Sequence, residues 1–251
     1  MTLAIDQFTY NQDNYGVLLH DGESGETALV DAGDAKTALT TLDTNGWDLT
    51  QVWITHHHGD HTAGLQEIVA ETDAEIFGPA GVAGVEQIMA GGGSFEFARR
   101  RIDVIATPGH TLDMLNFHLP TEKLVFTGDT LFAMGCGHLF EGDAAMMWSS
   151  LTRLMALDDD TIIYCGHEYT AANAAFALSV DPDNLALQRR AEAVVELRAA
   201  GAPTVPTIMA LEKETNPFLR ASDTAIRENL GLPSATDAEV FAEIRRRKDS
   251  F

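Results

Sequence analysis

The sequence predicts an α+β fold in which a mixed domain of strands and helices precedes a helical C-terminal region. Short apolar or β-branched runs, separated by turn residues, dominate up to about Tyr164 and predict strands. After Gly166 the chain is rich in good helix formers instead. The 251 residues suffice for one large domain, or for one domain with a smaller appendage. We therefore expect two domains, 1–166 and 167–251.

Each predicted element follows from a local pattern. The runs that predict strands are 3–9, 15–20, 27–30, 51–55, 75–77, 101–107, 114–119, 124–126 and 161–164. Periodic patterns predict helices at 35–45, 62–71 and 144–157, and later at 169–178, 184–200 and 237–247. Gly201 and Pro203 stand where the helix at 184–200 should end, because glycine and proline commonly terminate helices.

The composition limits the possible partners. The net charge of −22 and the pI of about 4.5 argue against nucleic acid, because the chain would repel phosphate. No apolar run approaches the roughly 20 residues of a membrane span, so we expect no membrane partner. The N-terminus lacks the layout of a signal peptide, and two cysteines make no disulfide framework. We expect a cytoplasmic protein that is a monomer or weak homo-oligomer.

A dense group of potential metal ligands follows the apolar run at 51–55. The segment is Thr55-His56-His57-His58-Gly59-Asp60-His61. His56 and His58 are two residues apart, so in an extended segment both side chains point to the same side. Imidazole and carboxylate groups suit zinc, iron or manganese. The segment therefore predicts a metal site rather than an ordinary polar loop.

Three further candidate ligands stand at the ends of apolar runs, each directly after a glycine. They are His110, Asp129 and His167. A glycine at such a position lets the backbone turn sharply and approach closely. These side chains would converge only if their strands belong to one sandwich. Together with the first segment, they supply the number of ligands that two metal ions require.

These residues resemble the signature of the metallo-β-lactamase superfamily, His-x-His-x-Asp-His followed by a later His, Asp and His. The chain resembles the hydroxyacylglutathione hydrolase (glyoxalase II) family more closely, in segments 55–64, 128–132, 135–142, 165–170, 216–220 and 245–251. The resemblance implies a metallo-β-lactamase αββα sandwich as the catalytic domain, 1–166. It also implies a C-terminal helical substrate-binding domain, 167–251, which most superfamily members lack.

The resemblance also implies two divalent metal ions, with zinc as the first choice and iron or manganese as alternatives. The first ion would bind His56, His58 and His110. The second would bind Asp60, His61 and His167, and Asp129 would bridge both. Asp60 and Asp129 would thus be the catalytic carboxylates, because they hold the ions that share a hydroxide. That hydroxide would attack the thioester of S-D-lactoylglutathione, giving glutathione and D-lactate in methylglyoxal detoxification.

The glutathione-binding positions of the family correspond here to His138, Leu139, Phe140, Tyr169, Arg245, Arg246, Arg247 and Lys248. Two of them depart from the family pattern, which usually has Lys or Arg in place of His138 and often Tyr in place of Phe140. An ordinary histidine is mostly neutral at pH 7. We therefore expect weaker glutathione binding that tightens at lower pH. The basic run 245–248 has a simpler interpretation, as a solvated helix end that complements the helix dipole.

Other functions fit the sequence less well. A glutathione persulfide dioxygenase holds one iron with two His and one Asp, which would leave the second set of ligands unused. Another thioesterase of the same fold stays open. A β-lactamase usually carries a secretion signal, and the negative charge conflicts with a nuclease. A metal-binding protein without catalysis would not explain the complete ligand set. Cys136 and Cys165 are interpreted as buried thiols.

Overall fold

The computed structural model describes residues 3–251 and divides into two compact units. Unit 1 contains residues 3–106 and 113–128, and unit 2 contains residues 107–112 and 129–251. Residues 1 and 2 of the predicted catalytic domain lie outside the described residues. The predicted domain boundary between Gly166 and His167 stays a prediction. Within the described part, every helix is too short or too polar to span a membrane.

Unit 1 is built from two β-sheets and three helices. Its strands are β1 (Ala4–Tyr10), β2 (Asn14–His20), β3 (Thr27–Val30), β4 (Gln51–Trp53), β5 (Glu75–Gly78), β6 (Gln87–Ile88), β7 (Ser94–Phe97), β8 (Arg100–Ala106), β9 (Leu115–Leu119) and β10 (Leu124–Gly128). Its helices are α1 (Ala35–Asn45), α2 (Gly59–Thr62) and α3 (Leu65–Glu71). The first sheet has the order β1-β2-β3-β4-β5-β6, antiparallel up to β3 and parallel from β3 to β6. Strands β7 to β10 form an antiparallel meander.

Helix α1 has the predicted bounds because both of its ends are capped. The Asp34 side chain accepts a hydrogen bond from the Thr37 N–H at 2.7 Å, as an N-cap residue should. Gly46 ends the helix with a left-handed φ of 67°. The helix predicted at 62–71 is wrong in part, since Gly64 separates α2 from α3. A Cβ at Gly64 would lie 2.4 Å from the Ala35 nitrogen, so α3 begins where the backbone passes close to α1.

Strand β4 is buried on both faces of its sheet, and its one polar side chain, Gln51, donates to the Glu96 carbonyl and accepts from the Trp53 ring N–H. On one face, the fully buried Trp53 ring contacts aromatic side chains of the second sheet: Phe95, Phe97, Phe117 and Phe126. On the other face, Val52 belongs to an apolar cluster with residues of α1 and α3. The core of unit 1 is therefore layered as helix, sheet and sheet. This layering anchors the segment that follows β4.

Unit 2 is mainly helical. Its strands are β11 (Leu131–Phe132), β12 (Gly135–Cys136), β13 (Ile162–Cys165) and β14 (Thr207–Ile208). Its helices are α4 (Ala144–Met155), α5 (Thr170–Val180), α6 (Leu185–Ala199), α7 (Met209–Thr215), a 3-10 turn (Pro217–Leu219), α8 (Thr224–Leu230) and α9 (Asp237–Asp249). Strands β11 and β12 form a hairpin, and β13 pairs with β14. The predicted helical character of the C-terminal region is confirmed.

A buried carboxylate holds the β11–β12 hairpin in unit 2. Glu212 is fully buried and accepts hydrogen bonds from the Met134 N–H (2.9 Å) and the Asn216 side chain (3.0 Å). Its charge is balanced by an ion pair with Arg190, and Thr207 donates to it at 2.7 Å. Met134 has a left-handed φ of 54°, which is uncommon outside glycine. The network therefore stabilises a tight turn between the segments that carry Asp129 and His138.

Candidate metal centre

The histidine-rich segment of unit 1 folds as its spacing predicts. It leaves β4 in an extended conformation and becomes helical at α2. His56 and His61 are fully buried, and their ring centroids are 4.3 Å apart. The His58 ring lies 4.7 Å from that of His56. His56 and His58 offer ligand atoms within 4.8 Å of each other, as do Asp60 and His61. By contrast, His57 is exposed.

A carboxylate that the sequence did not single out organises this segment. Asp31 follows β3, has a left-handed φ of 59° and is buried. It accepts hydrogen bonds from the Thr55 N–H (2.8 Å) and the Thr55 hydroxyl (2.9 Å). Its other short contact is to Nδ1 of His61 at 2.8 Å. Nδ1 of His56 lies 3.0 Å from the Thr55 hydroxyl. Asp31 thus supports two predicted ligands, one directly and one through Thr55.

These contacts set the tautomers of both histidines. An ionised carboxylate only accepts hydrogen bonds, so Nδ1 of His61 donates to Asp31. The Thr55 hydroxyl gives its proton to Asp31, so its oxygen accepts from Nδ1 of His56. The lone pair of each ring is then on Nε2, the atom that can bind a metal ion. A histidine whose other nitrogen donates to a carboxylate or a relay of this kind is typical of protein metal sites.

Asp60 is held by two residues of the first hairpin. The Asn14 side-chain amide donates to Oδ2 of Asp60 at 3.0 Å, and the Tyr10 hydroxyl donates to the Asp60 carbonyl at 2.8 Å. Oδ2 lies 3.4 Å from Nε2 of His61. A Cβ at Gly33 would lie only 1.9 Å from the Asp60 carbonyl oxygen, so this close approach requires glycine. The backbone and side chain of Asp60 are therefore both positioned.

Unit 2 brings its three predicted ligands together. His110, Asp129 and His167 are all buried. Oδ2 of Asp129 lies 3.4 Å from Nε2 of His110 and 3.3 Å from Nε2 of His167. Nδ1 of His110 donates to the His138 carbonyl at 2.8 Å, because a carbonyl oxygen only accepts. The lone pair of His110 is then on Nε2, which faces the Asp129 carboxylate.

The donor set suits divalent metal ions. Unit 1 supplies three imidazoles and one carboxylate, and unit 2 supplies two imidazoles and one carboxylate. Histidine and aspartate side chains are suitable ligands for zinc, iron or manganese. At least three of the imidazole rings, those of His56, His61 and His110, have their lone pair on Nε2. The residues present therefore fit the metal ions that the sequence predicts.

Several predicted substrate-binding side chains lie beside the ligands of unit 2. The Tyr169 ring stacks on His167, with centroids 4.7 Å apart and planes inclined by 6°. The Phe140 ring is largely exposed and lies 5.3 Å from the His110 ring. The His138 side chain is half exposed, and Leu139 is partly buried. These contacts leave an exposed aromatic surface next to two candidate ligands.

The four basic residues of α9 separate into two pairs. Arg245 donates to the Cys136 carbonyl at 3.0 Å, and Lys248 donates to the Ala172 carbonyl at 3.1 Å. Arg246 and Arg247 both form ion pairs with Glu243 on the same helix. Arg245 and Lys248 therefore contact β12 and α5, which adjoin the His138 loop and Tyr169. The assignment of all four residues to substrate binding stays a prediction.

Both cysteines are buried thiols, as the sequence suggests. Burial raises the pKa of Cys136 to about 11, although the nearby Arg245 opposes the shift. Burial likewise raises the pKa of Cys165 to about 12. Since the thiolate is the reactive form, we expect iodoacetamide to label neither cysteine of the folded protein at pH 8. Mass spectrometry of native and urea-unfolded samples tests this. Rapid labelling of the native protein would contradict it.

The sequence matches three family models in consecutive parts of the chain. Residues 168–251 match the hydroxyacylglutathione hydrolase C-terminus. Residues 85–167 match the metallo-beta-lactamase superfamily. Residues 4–76 match the model of the anti-Pycsar protein Apyc1. The metallo-β-lactamase fold with a C-terminal helical region, expected from the sequence, is confirmed.

Named relatives resemble the chain over its full length. The hydroxyacylglutathione hydrolase of Rhizobium meliloti is 53% identical, over 99% of this chain and 99% of the relative. That of Maricaulis maris is 52% identical with the same coverage. Among solved structures, ETHE1 from Myxococcus xanthus has a TM-score of 0.70 and is 24% identical in sequence. The alignment covers 97% of this chain and 90% of the ETHE1 chain. TTHA1623 in a di-iron-bound form has a TM-score of 0.63 and is 22% identical. The alignment covers 85% of this chain and 100% of the TTHA1623 chain. Both structural likenesses show the fold.

Proposed function

The chain belongs to the hydroxyacylglutathione hydrolase family, and we propose that it hydrolyses the thioester of S-2-hydroxyacylglutathiones such as S-D-lactoylglutathione. The products are glutathione and a 2-hydroxy acid, here D-lactate. The observation that carries this proposal is the 53% identity over 99% of both chains, which includes the helical C-terminal region. The role that follows is methylglyoxal detoxification. The alternatives, a persulfide dioxygenase and a non-catalytic metal-binding protein, are not favoured.

The metal partition is part of the proposal and rests on the motif that the chain shares with its superfamily. One divalent ion would be held by His56, His58 and His110. The second would be held by Asp60, His61 and His167, and Asp129 would contribute to both sites. Zinc is the proposed metal, with iron or manganese as alternatives. Bound there, divalent cations lower the pKa of water and polarise the substrate carbonyl, so no serine or cysteine nucleophile is required.

The chain's own residues prepare this chemistry in advance. Asp31 holds His61 directly and His56 through Thr55, which keeps both Nε2 lone pairs available for a metal ion. Asn14 holds the Asp60 side chain, so this carboxylate need not reorganise when a metal ion binds. Such prearrangement reduces the cost of charge development during the reaction.

Substrate contacts come from the exposed aromatic surface of unit 2. Tyr169 and Phe140 offer ring faces beside His167 and His110. The substrate carries two carboxylates, and the candidate cations are those of the basic run on α9. The predicted cytoplasmic setting and the monomeric or weakly oligomeric state remain proposals.

The decisive assay measures hydrolysis and metal content on the same sample. Purified protein should cleave S-D-lactoylglutathione, with equal rates for the loss of the thioester and the release of free thiol. Metal analysis should give about two ions per chain. Removal of the metal by a chelator should abolish activity, and zinc should restore it. A fully metal-loaded protein that leaves the thioester intact, or that consumes dioxygen with glutathione persulfide, would refute the proposed function.

A further inference from the structure

The loop beside the candidate metal ligands is tied to helix α9 by one carboxylate. Oδ1 of Asp249 lies 3.1 Å from Nδ1 of His138. The same oxygen accepts from Arg245, at 2.9 Å from Nε and 2.6 Å from Nη2. A single carboxylate oxygen therefore sits between an imidazole and a guanidinium. Two such donors converging on one oxygen form the arrangement that would recognise the carboxylate of a ligand.

Through His138, the group formed by Asp249, His138 and Arg245 lies next to a candidate metal ligand. Its backbone carbonyl accepts from Nδ1 of His110, a candidate metal ligand, at 2.8 Å. Its side chain is half exposed, and its ring lies 4.6 Å from the exposed Phe140 ring. The half-exposed His138 side chain therefore belongs to a residue that directly contacts the candidate ligand His110.

All three nitrogens of the Arg245 guanidinium contact groups of the protein, and its Nε and Nη2 both contact Asp249. Its side chain is 8% exposed, and Nη1 donates to the Cys136 carbonyl. Its guanidinium also lies over the Phe218 ring, 5.2 Å from the centroid. A substrate carboxylate can therefore pair with the Nε and Nη2 donors of Arg245 only by displacing Asp249. Lys248 differs, because it donates to a backbone carbonyl and lies near two aromatic rings.

We propose that Asp249 is a specificity-determining residue, a carboxylate of the chain itself that occupies the position where a substrate carboxylate would contact His138 and Arg245. The proposal rests on the proposed function for the identity of the substrate. Asp249 lowers affinity for the free tripeptide carboxylate and makes the enzyme tolerant of thioesters that lack it. The negative charge of Asp249 repels an incoming carboxylate, and its hydrogen bonds occupy the donors.

The test compares two substrates in matched variants. The substrates are S-D-lactoylglutathione and its glycine amide, which differ only in the C-terminal carboxylate. Asp249→Asn keeps an oxygen that can accept from Arg245 but removes the charge. We expect this variant to lower KM for the free acid by roughly five- to tenfold, with kcat unchanged and KM for the amide unchanged. The ratio of the two KM values is the measurement.

Asp158→Asn is the matched control, because it makes the same substitution and removes one negative charge at an exposed aspartate of the same unit. The control should leave the acid-to-amide ratio unchanged. A ratio that stays constant in Asp249→Asn, or a higher KM for both substrates, would overturn the proposal and make Asp249 a structural brace for Arg245. Should Asp249→Asn fail to fold, Asp249→Ser gives the same comparison. Failure of the wild-type protein on both substrates would instead refute the proposed function.

Discussion

Asp129→Ala is expected to lose about a thousandfold or more of the thioesterase activity and part of the bound metal. Oδ2 of Asp129 lies 3.3–3.4 Å from the Nε2 atoms of both His167 and His110, so one carboxylate oxygen serves two imidazole ligands. Metal ions contribute several kcal/mol of transition-state stabilisation, and three orders of magnitude correspond to about 4 kcal/mol. Removal of the proposed bridging carboxylate should therefore reduce both metal occupancy and rate.

Metal content per chain and kcat are measured for three variants: Asp129→Ala, Asp129→Asn and Asp158→Ala. Asp129→Asn keeps the size of the side chain and one acceptor oxygen, so it should retain more metal than Asp129→Ala. Asp158→Ala is the control, because Asp158 is an exposed aspartate of the same unit. It should keep both metal content and rate. Full metal content and full activity in Asp129→Ala would show that the bridging role is wrong.

The sequence predicted the strands and helices whose patterns are local. Helix α1 has the expected bounds because Asp34 and Gly46 cap it, and both caps are visible in the sequence. Strands β6 and β12 contain two residues each, too few to show any periodicity. Helices α7 and α8 were not predicted, because each has only seven residues and shows about two turns of any periodic pattern. Their stability comes from packing rather than from a local pattern.

In the candidate site, too, some residues could be predicted from local sequence patterns and others depend on tertiary structure. Every predicted ligand could be recognised, since histidine and aspartate after an apolar run are conspicuous in one sequence. The carboxylate that orients two of them, Asp31, could not. Asp31 reaches Thr55 because β3 and β4 are parallel neighbours, with Val30 opposite Trp53. Strand order is a tertiary property that spacing along the chain does not contain. The available hint was an aspartate directly after the apolar run Ala28-Leu29-Val30.

Asn14 was missed for a similar reason. It begins β2 and reaches Asp60 across 46 residues of sequence. An asparagine in a turn sequence is usually interpreted as a turn residue, because its side chain bonds to its own backbone. Here the side chain is buried and oriented toward a candidate ligand instead. Only the three-dimensional structure separates the two roles.

Asp31→Asn is expected to weaken zinc binding by roughly 10- to 100-fold, the usual effect of losing the partner of a metal-binding histidine. The amide oxygen can still accept from the Thr55 N–H, so the β3–β4 edge should stay folded. The neutral amide, however, is a poorer acceptor for Nδ1 of His61, and its NH₂ group can face the ring. His61 then loses the contact that keeps its lone pair on Nε2.

The affinity is measured by competition with a chromophoric chelator, and folding by circular dichroism. Asp43→Asn is the control, because Asp43 is an exposed aspartate of the same unit on α1. It removes the same charge without touching a ligand, so a general electrostatic effect would appear in both variants. Asp31→Ala should bind zinc still more weakly, because it also leaves the Thr55 N–H without its acceptor. Equal zinc affinity in Asp31→Asn and wild type would mean that the histidines hold their tautomers without Asp31, and that the metal ion itself selects Nε2.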